Sequence, residues 1–206
     1  MNYTIREIKT SESPLLDDFL YEAIYVPKGA VPPPRSILTS PELQVYTRRF
    51  GKSDDDKCLV AEVGGTIVGA VWTRIMDDYG HIDDHTPSLA ISLYKEYRGN
   101  GIGTAMMKAM LDLLKKSGYK RVSLSVQKEN FAVNLYRKVG FEIAADHGEE
   151  YIMACDLKAL PESEQPCHCK VLASYSTYEG RYAYAFQFSG PDGLWTAAHR
   201  IAYLYF

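Results

Sequence analysis

One stretch of the chain carries an apolar strand into three alternating glycines and then into a helix. It reads Ser92-Leu93-Tyr94-Lys95-Glu96-Tyr97-Arg98-Gly99-Asn100-Gly101-Ile102-Gly103-Thr104. A turn of this kind exposes a row of backbone N–H groups at the helix start. Together with the positive end of the helix dipole they make an anion site. Glycines let a phosphate approach, because no Cβ stands in the way. The chemistry expected here is the binding of a phosphorylated cofactor.

Two common phosphate loops do not fit. A P-loop ends in Gly-Lys-Ser/Thr, whereas Gly103 is followed by Thr104 with no lysine. A dinucleotide loop spaces its glycines G-x-G-x-x-G, and Gly99, Gly101 and Gly103 are one residue too tight. A second motif lies one strand later: Asn130-Phe131-Ala132-Val133-Asn134-Leu135-Tyr136-Arg137-Lys138-Val139-Gly140-Phe141. Its residues read as a helix. Asn130 is a good N-cap, Ala132, Leu135, Tyr136 and Val139 share one face, and Gly140 is a C′ glycine before a strand at Phe141.

Arg98-x-x-Gly101-x-Gly103 resembles the acyl-CoA pyrophosphate loop of the GNAT superfamily of N-acyltransferases. The Asn130 segment resembles that family's N-x-x-A-x-x-L-Y-x-x-x-G-F pattern at every specified position. The resemblance covers about residues 2–157. It implies a twisted, mixed α/β sheet with two central parallel strands that splay apart, flanked by helices. It also implies transfer of an acetyl group from acetyl-CoA to a primary amine by direct attack, the acceptor being a small molecule or a peptide. A non-catalytic acyl-CoA-binding module on the same fold is the alternative.

The resemblance assigns roles residue by residue. Backbone groups near Ile91 and Leu93 would contact the pantetheine arm and the thioester carbonyl, completing a strand edge. An N–H on that carbonyl would stabilise the developing oxyanion. The N–H groups of Gly99, Gly101, Gly103 and Thr104 would hold the pyrophosphate. Arg98 either adds charge there or is solvated. Asn130 would bond the pantetheine arm besides capping its helix. Tyr136 is the candidate general acid, since a phenol of reference pKa about 10 can protonate a thiolate of about 8.5. The alternative for Tyr136 is a plain core tyrosine.

The base is not specified. Some relatives carry a carboxylate a few residues before the strand that enters the glycine loop, but Pro87 occupies the matching position. Asp83, Asp84, His85 and Glu62 are the nearby candidates, acting through a water. Asp77, Asp78, Asp83 and Asp84 make the loop before that strand acidic, which suits a cationic amine. Tyr25, Tyr46 and the loop of residues 28–34 are candidate acceptor walls.

Composition narrows the remaining classes. The 206 residues suffice for one domain with a sizeable core, or for one domain plus an appendage. A net charge of −3 argues against a nucleic-acid binder. No stretch reaches membrane-spanning length and the first residues are no signal peptide, so a cytoplasmic location is expected. Cys58 and Cys155 lie in apolar runs and read as buried thiols. Cys167-His168-Cys169 lacks a second ligand pair at zinc spacing, so no metal is expected.

The elements that must position these groups follow from periodicity. Strands are expected at residues 3–8, 58–63, 66–75, 88–94, 121–127, 141–145 and 151–156, with Gly64-Gly65 and His147-Gly148 as hairpin turns. Helices are expected at 13–25, 41–50 and 102–118 as well as after Asn130, the third burying Ile102, Met106, Ala109, Met110 and Leu113. The acetyltransferase domain is expected to occupy residues 1–157 and an extension of unknown role 158–206. Within the extension, residues 161–166 read as a linker. Residues 182–188 read as a strand pairing with 171–175 across Glu179-Gly180, and 194–206 as a short helix. So aromatic a tail implies packing on the domain or on a second copy, as in a homodimer.

Overall fold

The computed structural model describes residues 1–157 and, beyond them, the backbone of four strands. The chain divides into two compact units, Met1–Lys158 and Ala159–Phe206.

The first unit is built on β1 (Thr4–Glu7), α1 (Leu15–Ala23), α2 (Pro41–Thr47), β2 (Lys57–Val63), β3 (Thr66–Arg74), β4 (Ser88–Leu93), α3 (Ile102–Lys116), β5 (Arg121–Gln127), α4 (Ala132–Lys138), β6 (Glu142–His147) and β7 (Glu150–Asp156). Seven strands form one sheet in the order β1-β2-β3-β4-β5-β7-β6. All neighbours are antiparallel except β4 and β5, which are parallel because α3 carries the chain back between them. This is the mixed sheet with a parallel centre that the sequence implies.

Strand alternation assigns the two faces. Leu89 and Leu93 of β4 and Val122, Leu124 and Val126 of β5 join a core with Ile102, Met106, Met107, Met110 and Leu114 of α3 and Val133 and Tyr136 of α4. Val60, Ala70 and Trp72 point the other way, against Leu16, Phe19 and Leu20 of α1 and Tyr46 of α2. In α3 the stripe is wider than the spacing rule gives. Met107 and Leu114 are fully buried, while Ala109 and Leu113 are only partly so. Cys58 and Cys155 are buried free thiols, and burial pushes both pKa values up.

The second face is covered unevenly. Helices α1 and α2 pack on the half made by β2 to β4. Beyond it, β5 turns Ser123 and Ser125 to the same side as Ser88, and β6 is largely exposed.

In the second unit, β8 (His168–Ser176) and β9 (Tyr182–Ser189) pair antiparallel with Val171 opposite Phe186, close to the expected hairpin. The helix expected over 194–206 is not found. Trp195–Thr196 (β10) and Ile201–Leu204 (β11) are strands on β9. Trp, Ile and Tyr favour a pleated surface, and the pairing offered by β9 outweighs a weak helical spacing. The expected linker, the Glu179-Gly180 turn and Cys167 lie outside the described residues. Among the described residues no helix is long and apolar enough to cross a membrane.

Candidate active site

Strands β4 and β5 meet at a single pair, Ser88 opposite Ser123, backed by the Ser123 N–H donating to the Pro87 carbonyl at 3.0 Å. Past that pair they separate, leaving a wedge that opens toward the C-terminal end of β4. The direction of the β4 backbone groups follows from one bond. The Tyr94 N–H donates to the Val68 carbonyl on β3 at 3.0 Å. Groups alternate along a strand, so those of Ile91 and Leu93 point toward β5. Pairing with β5 has already ended there. Ile91 and Leu93, both expected as cofactor contacts, therefore line the open edge.

At the mouth of the wedge the chain makes a 3-10 turn, Lys95–Tyr97, then enters the glycine loop. Gly99 and Gly101 have φ of 79° and 80°, the left-handed region that glycine adopts without strain. Gly101 is the N-cap of α3, and no side chain caps the helix. The first intrahelical bond runs from the Ala105 N–H to the Gly101 carbonyl. The N–H groups of Ile102, Gly103 and Thr104 are thus first-turn donors without helical acceptors. Asn100 shapes the loop by donating to the Tyr97 and Arg98 carbonyls at 3.2 and 3.1 Å.

Arg98 is half-exposed and is also bonded at both ends of its guanidinium. Its Nε donates to the Leu93 carbonyl at 2.8 Å, and Nη2 to Glu22 of α1 at 2.6 Å. It ties the end of β4 to a helix on the opposite face.

Helix α4 brings Tyr136 beside this wedge. A Cβ at Gly103 would lie 3.7 Å from Leu135 Cδ2, so the start of α3 and the face of α4 are near neighbours. Tyr136 is 8% exposed and packs near Phe141, with ring centroids 6.0 Å apart. Burial alone pushes its phenol up to about 12. Asn130 stands one residue before the N-cap position, which Phe131 takes, and its Oδ1 accepts from the Ala132 N–H at 2.9 Å.

The candidate bases are not gathered at one point. Glu62 lies on β2, two strands from β4, and accepts from Arg6 at 3.0 and 2.8 Å. Arg6 also binds Glu12, whose carboxyl it holds down at about 2. Asp84 and His85 line a cavity of about 820 Å³ with Asp83, Tyr119 and Arg121. That cavity borders the C-terminal end of α3, ~22 Å along the helix from the glycine loop at about 1.5 Å per residue. The Asp83 carboxyl is held below its usual range, first by the His85 N–H at 2.8 Å.

Other polar groups stand at the wedge's closed end, on the α1/α2 face. Ser88 Oγ donates to Asp78 Oδ1 at 2.6 Å and lies 3.4 Å from Ser123 Oγ. Ser125 Oγ donates to Glu150 Oε2 at 2.8 Å. Tyr46 adjoins them: burial first, then the charge of Asp78, raises its phenol, with Glu150 contributing less. Of the proposed acceptor walls, Tyr46 therefore stands at the wedge, while the 28–34 loop is fixed to α1 through Tyr21 donating to the Pro33 carbonyl at 2.6 Å. Tyr25 is partly buried just past α1. Nothing in the sequence singles out Glu150 or the pairing of Ser88 with Asp78. The serines on β5 do carry a signal: Arg121-Val122-Ser123-Leu124-Ser125-Val126-Gln127 alternates apolar with polar, which marks a strand with one polar face, here buried at Ser123.

Comparison with known proteins agrees with this geometry. The model of the acetyltransferase (GNAT) family matches residues 24–141. The chain belongs to the GNAT family, and so to a family of acyltransferase enzymes. An N-alpha-acetyltransferase of Sulfurisphaera tokodaii is 33% identical over 114 residues, covering 48% of this chain and 68% of the relative. The N-acetyltransferase YobR of Bacillus subtilis is 35% identical over 83 residues, covering 40% of this chain and only 30% of the relative. Among solved structures, the PaiA N-acetyltransferase of Thermoplasma acidophilum in complex with coenzyme A superposes with a TM-score of 0.56 at 22% identity, over 76% of this chain and 99% of that one. That likeness is one of fold.

Proposed function

We propose that this protein is an acetyl-CoA-dependent N-acetyltransferase that acylates a primary amine of a small molecule or peptide. The observation that carries the reading is the wedge between β4 and β5, closed at Ser88–Ser123 and open toward an uncapped helix start. The residues fit the cofactor. First-turn N–H groups of α3, with Gly99 and Gly101 leaving room, suit a pyrophosphate. The β4 edge at Ile91 and Leu93, unpaired with β5 although Arg98 takes the Leu93 carbonyl, suits the amides of a pantetheine arm, which add to it as another strand would.

Acetyl-CoA supplies an activated acyl group as a thioester. The chain's own groups do the rest. An N–H of the β4 edge stabilises negative charge on the carbonyl oxygen as the amine attacks. Tyr136, held neutral by burial, donates its proton to the departing thiolate.

The test is turnover of acetyl-CoA against a panel of amines, read by release of free thiol, with calorimetry of acetyl-CoA binding beside it. Thiol release that depends on the amine is expected. Binding without turnover of any amine would leave the non-catalytic acyl-CoA-binding module. Absence of binding at millimolar acetyl-CoA would overturn both.

A further inference from the structure

An amine attacks only as the free base, so something must take the ammonium proton near the thioester. A lysine-type amine has a pKa of about 10.4, which leaves little free base at pH 7. Asp84, His85 and Glu62 do not border the open part of the wedge. Asp78 does border its closed end, where β4 and β5 meet.

We propose that Asp78 is the carboxylate that binds the acceptor ammonium and receives its proton. The assignment rests on the acetyltransferase reading and deepens it. Three observations converge on it. Ser88 Oγ donates to Asp78 Oδ1 at 2.6 Å, and Ser88 is fully buried at the sole β4–β5 pair. This fixes the carboxylate at the apex. Second, Asp78 is only partly buried on the α1/α2 side of the sheet, so an acceptor reaches it from the side opposite α3 and α4. Third, the loop that carries it rests directly on β5. A Cβ at Gly80 would fall 2.9 Å from the Ser125 nitrogen and 3.0 Å from the Leu124 carbonyl carbon. Only glycine allows that seat, and the loop is held two residues from Asp78.

The carboxylate keeps capacity for the ligand. It has about four lone-pair positions and spends one on Ser88 and at most one on the neighbouring Tyr46. Glu150, anchored by Ser125 on the adjacent strand, adds a second negative charge to the same approach. The favoured acceptor is therefore a cationic amine.

The step balances without a further reactant. Asp78 takes one proton from the ammonium and later gives it to water. The amine nitrogen then forms the C–N bond, and the C–S bond breaks. The thiolate takes the Tyr136 proton, and the second proton leaving the nitrogen restores that phenol through water. The products are the acetamide, the free thiol and one proton.

Asp78→Asn tests this, because the amide keeps an oxygen for the Ser88 hydroxyl. Acetyl-CoA affinity, measured by calorimetry, should stay within about twofold, which also reports an intact fold. The kcat/KM for the best cationic amine should fall by about 10²-fold at pH 7, the usual cost of losing a general base. Its log should then climb with a slope near one as pH rises toward the amine's pKa, since only spontaneously neutral amine reacts. Asp78→Glu should recover part of the rate. Ser88→Ala should lower the rate less and leave the pH slope of the wild type. A wild-type protein that acetylates no amine overturns the acetyltransferase reading and this assignment with it. A wild-type protein that turns over, with Asp78→Asn within threefold of it and unchanged in slope, overturns the assignment alone.

Discussion

The guanidinium of Arg98 reaches past the glycine loop to Glu22, with Nη2 2.6 Å from Oε1, while its Nε holds the Leu93 carbonyl at 2.8 Å. One side chain thus fixes the last residue of β4 relative to α1. The two bonds differ in worth. The ion pair is substantially exposed, 49% on the arginine side, so it contributes at most about 1 kcal/mol. The bond to the carbonyl also anchors the loop itself.

Glu22→Gln should therefore weaken acetyl-CoA binding by no more than about fivefold, the equivalent of about 1 kcal/mol. Arg98→Met removes both bonds and should cost more, on the order of tenfold or above, because a hydrogen bond from a charged group contributes about 1.5–3 kcal/mol. Calorimetry of both variants at low and moderate salt separates the terms. The Glu22 effect should shrink with salt and the Arg98 effect should largely persist.

The glycines of the loop should separate cofactor binding from folding. Gly103 lies in α3, and a Cβ there meets only Leu135 Cδ2 at 3.7 Å, an ordinary contact. Gly103→Asp should fold yet lose acetyl-CoA binding, because the carboxylate sits among the donors that take the pyrophosphate. Gly101 has open space but φ of 80°. Gly101→Ala should lose about 1–2 kcal/mol of stability from the left-handed backbone alone. Thermal melts with and without acetyl-CoA read both outcomes.

Tyr136→Phe removes one hydroxyl from a position 8% exposed, so packing should survive. Acetyl-CoA affinity should hold and kcat should fall by about 10²-fold. The phenol is pushed up to about 12, so wild-type activity should show no alkaline loss from this group below about pH 10. The stability linkage has a defined sign. A folded pKa above the unfolded value of about 10 leaves stability whole below pH 10 and erodes it as pH rises toward 12. Tyr136→Phe should lessen that alkaline fall in Tm, while Tyr46 and Tyr119, also raised, keep part of it.

Local pattern made much of this fold legible. β5 runs from Arg121 to Gln127 as its alternation requires, and Gly148 turns β6 into β7 with φ of 75°. The turn of the glycine loop into α3 was legible because it is a property of consecutive residues. The base we propose was not. Asp78, Asp83 and Asp84 have the same chemistry in one loop. What separates them is Ser88 meeting Ser123, a contact across 35 positions. Arg98 shows the same limit, since its partner Glu22 is 76 positions away. The strands of residues 195–196 and 201–204 were missed because the partner β9, rather than their own spacing, decides their form.

Gly80 offers the sharpest test of how the acceptor side is built. It does not need positive φ; it needs room. A Cβ would stand 2.9 to 3.1 Å from three backbone atoms of Leu124 and Ser125, none of which can swing aside as a side-chain end would. Gly80→Ala must lift the loop off β5, at about 1–3 kcal/mol for overpacking. The lift moves Asp78 away from Ser88, while the glycine loop belongs to the opposite end of β4. Acetyl-CoA affinity should therefore stay within about twofold, while KM for the amine rises and kcat drops by roughly tenfold, a misplacement penalty smaller than removal of the group. Steady-state kinetics with each substrate varied in turn would read the split. Equal losses toward both substrates would mean that the loop supports the whole sheet rather than the acceptor side.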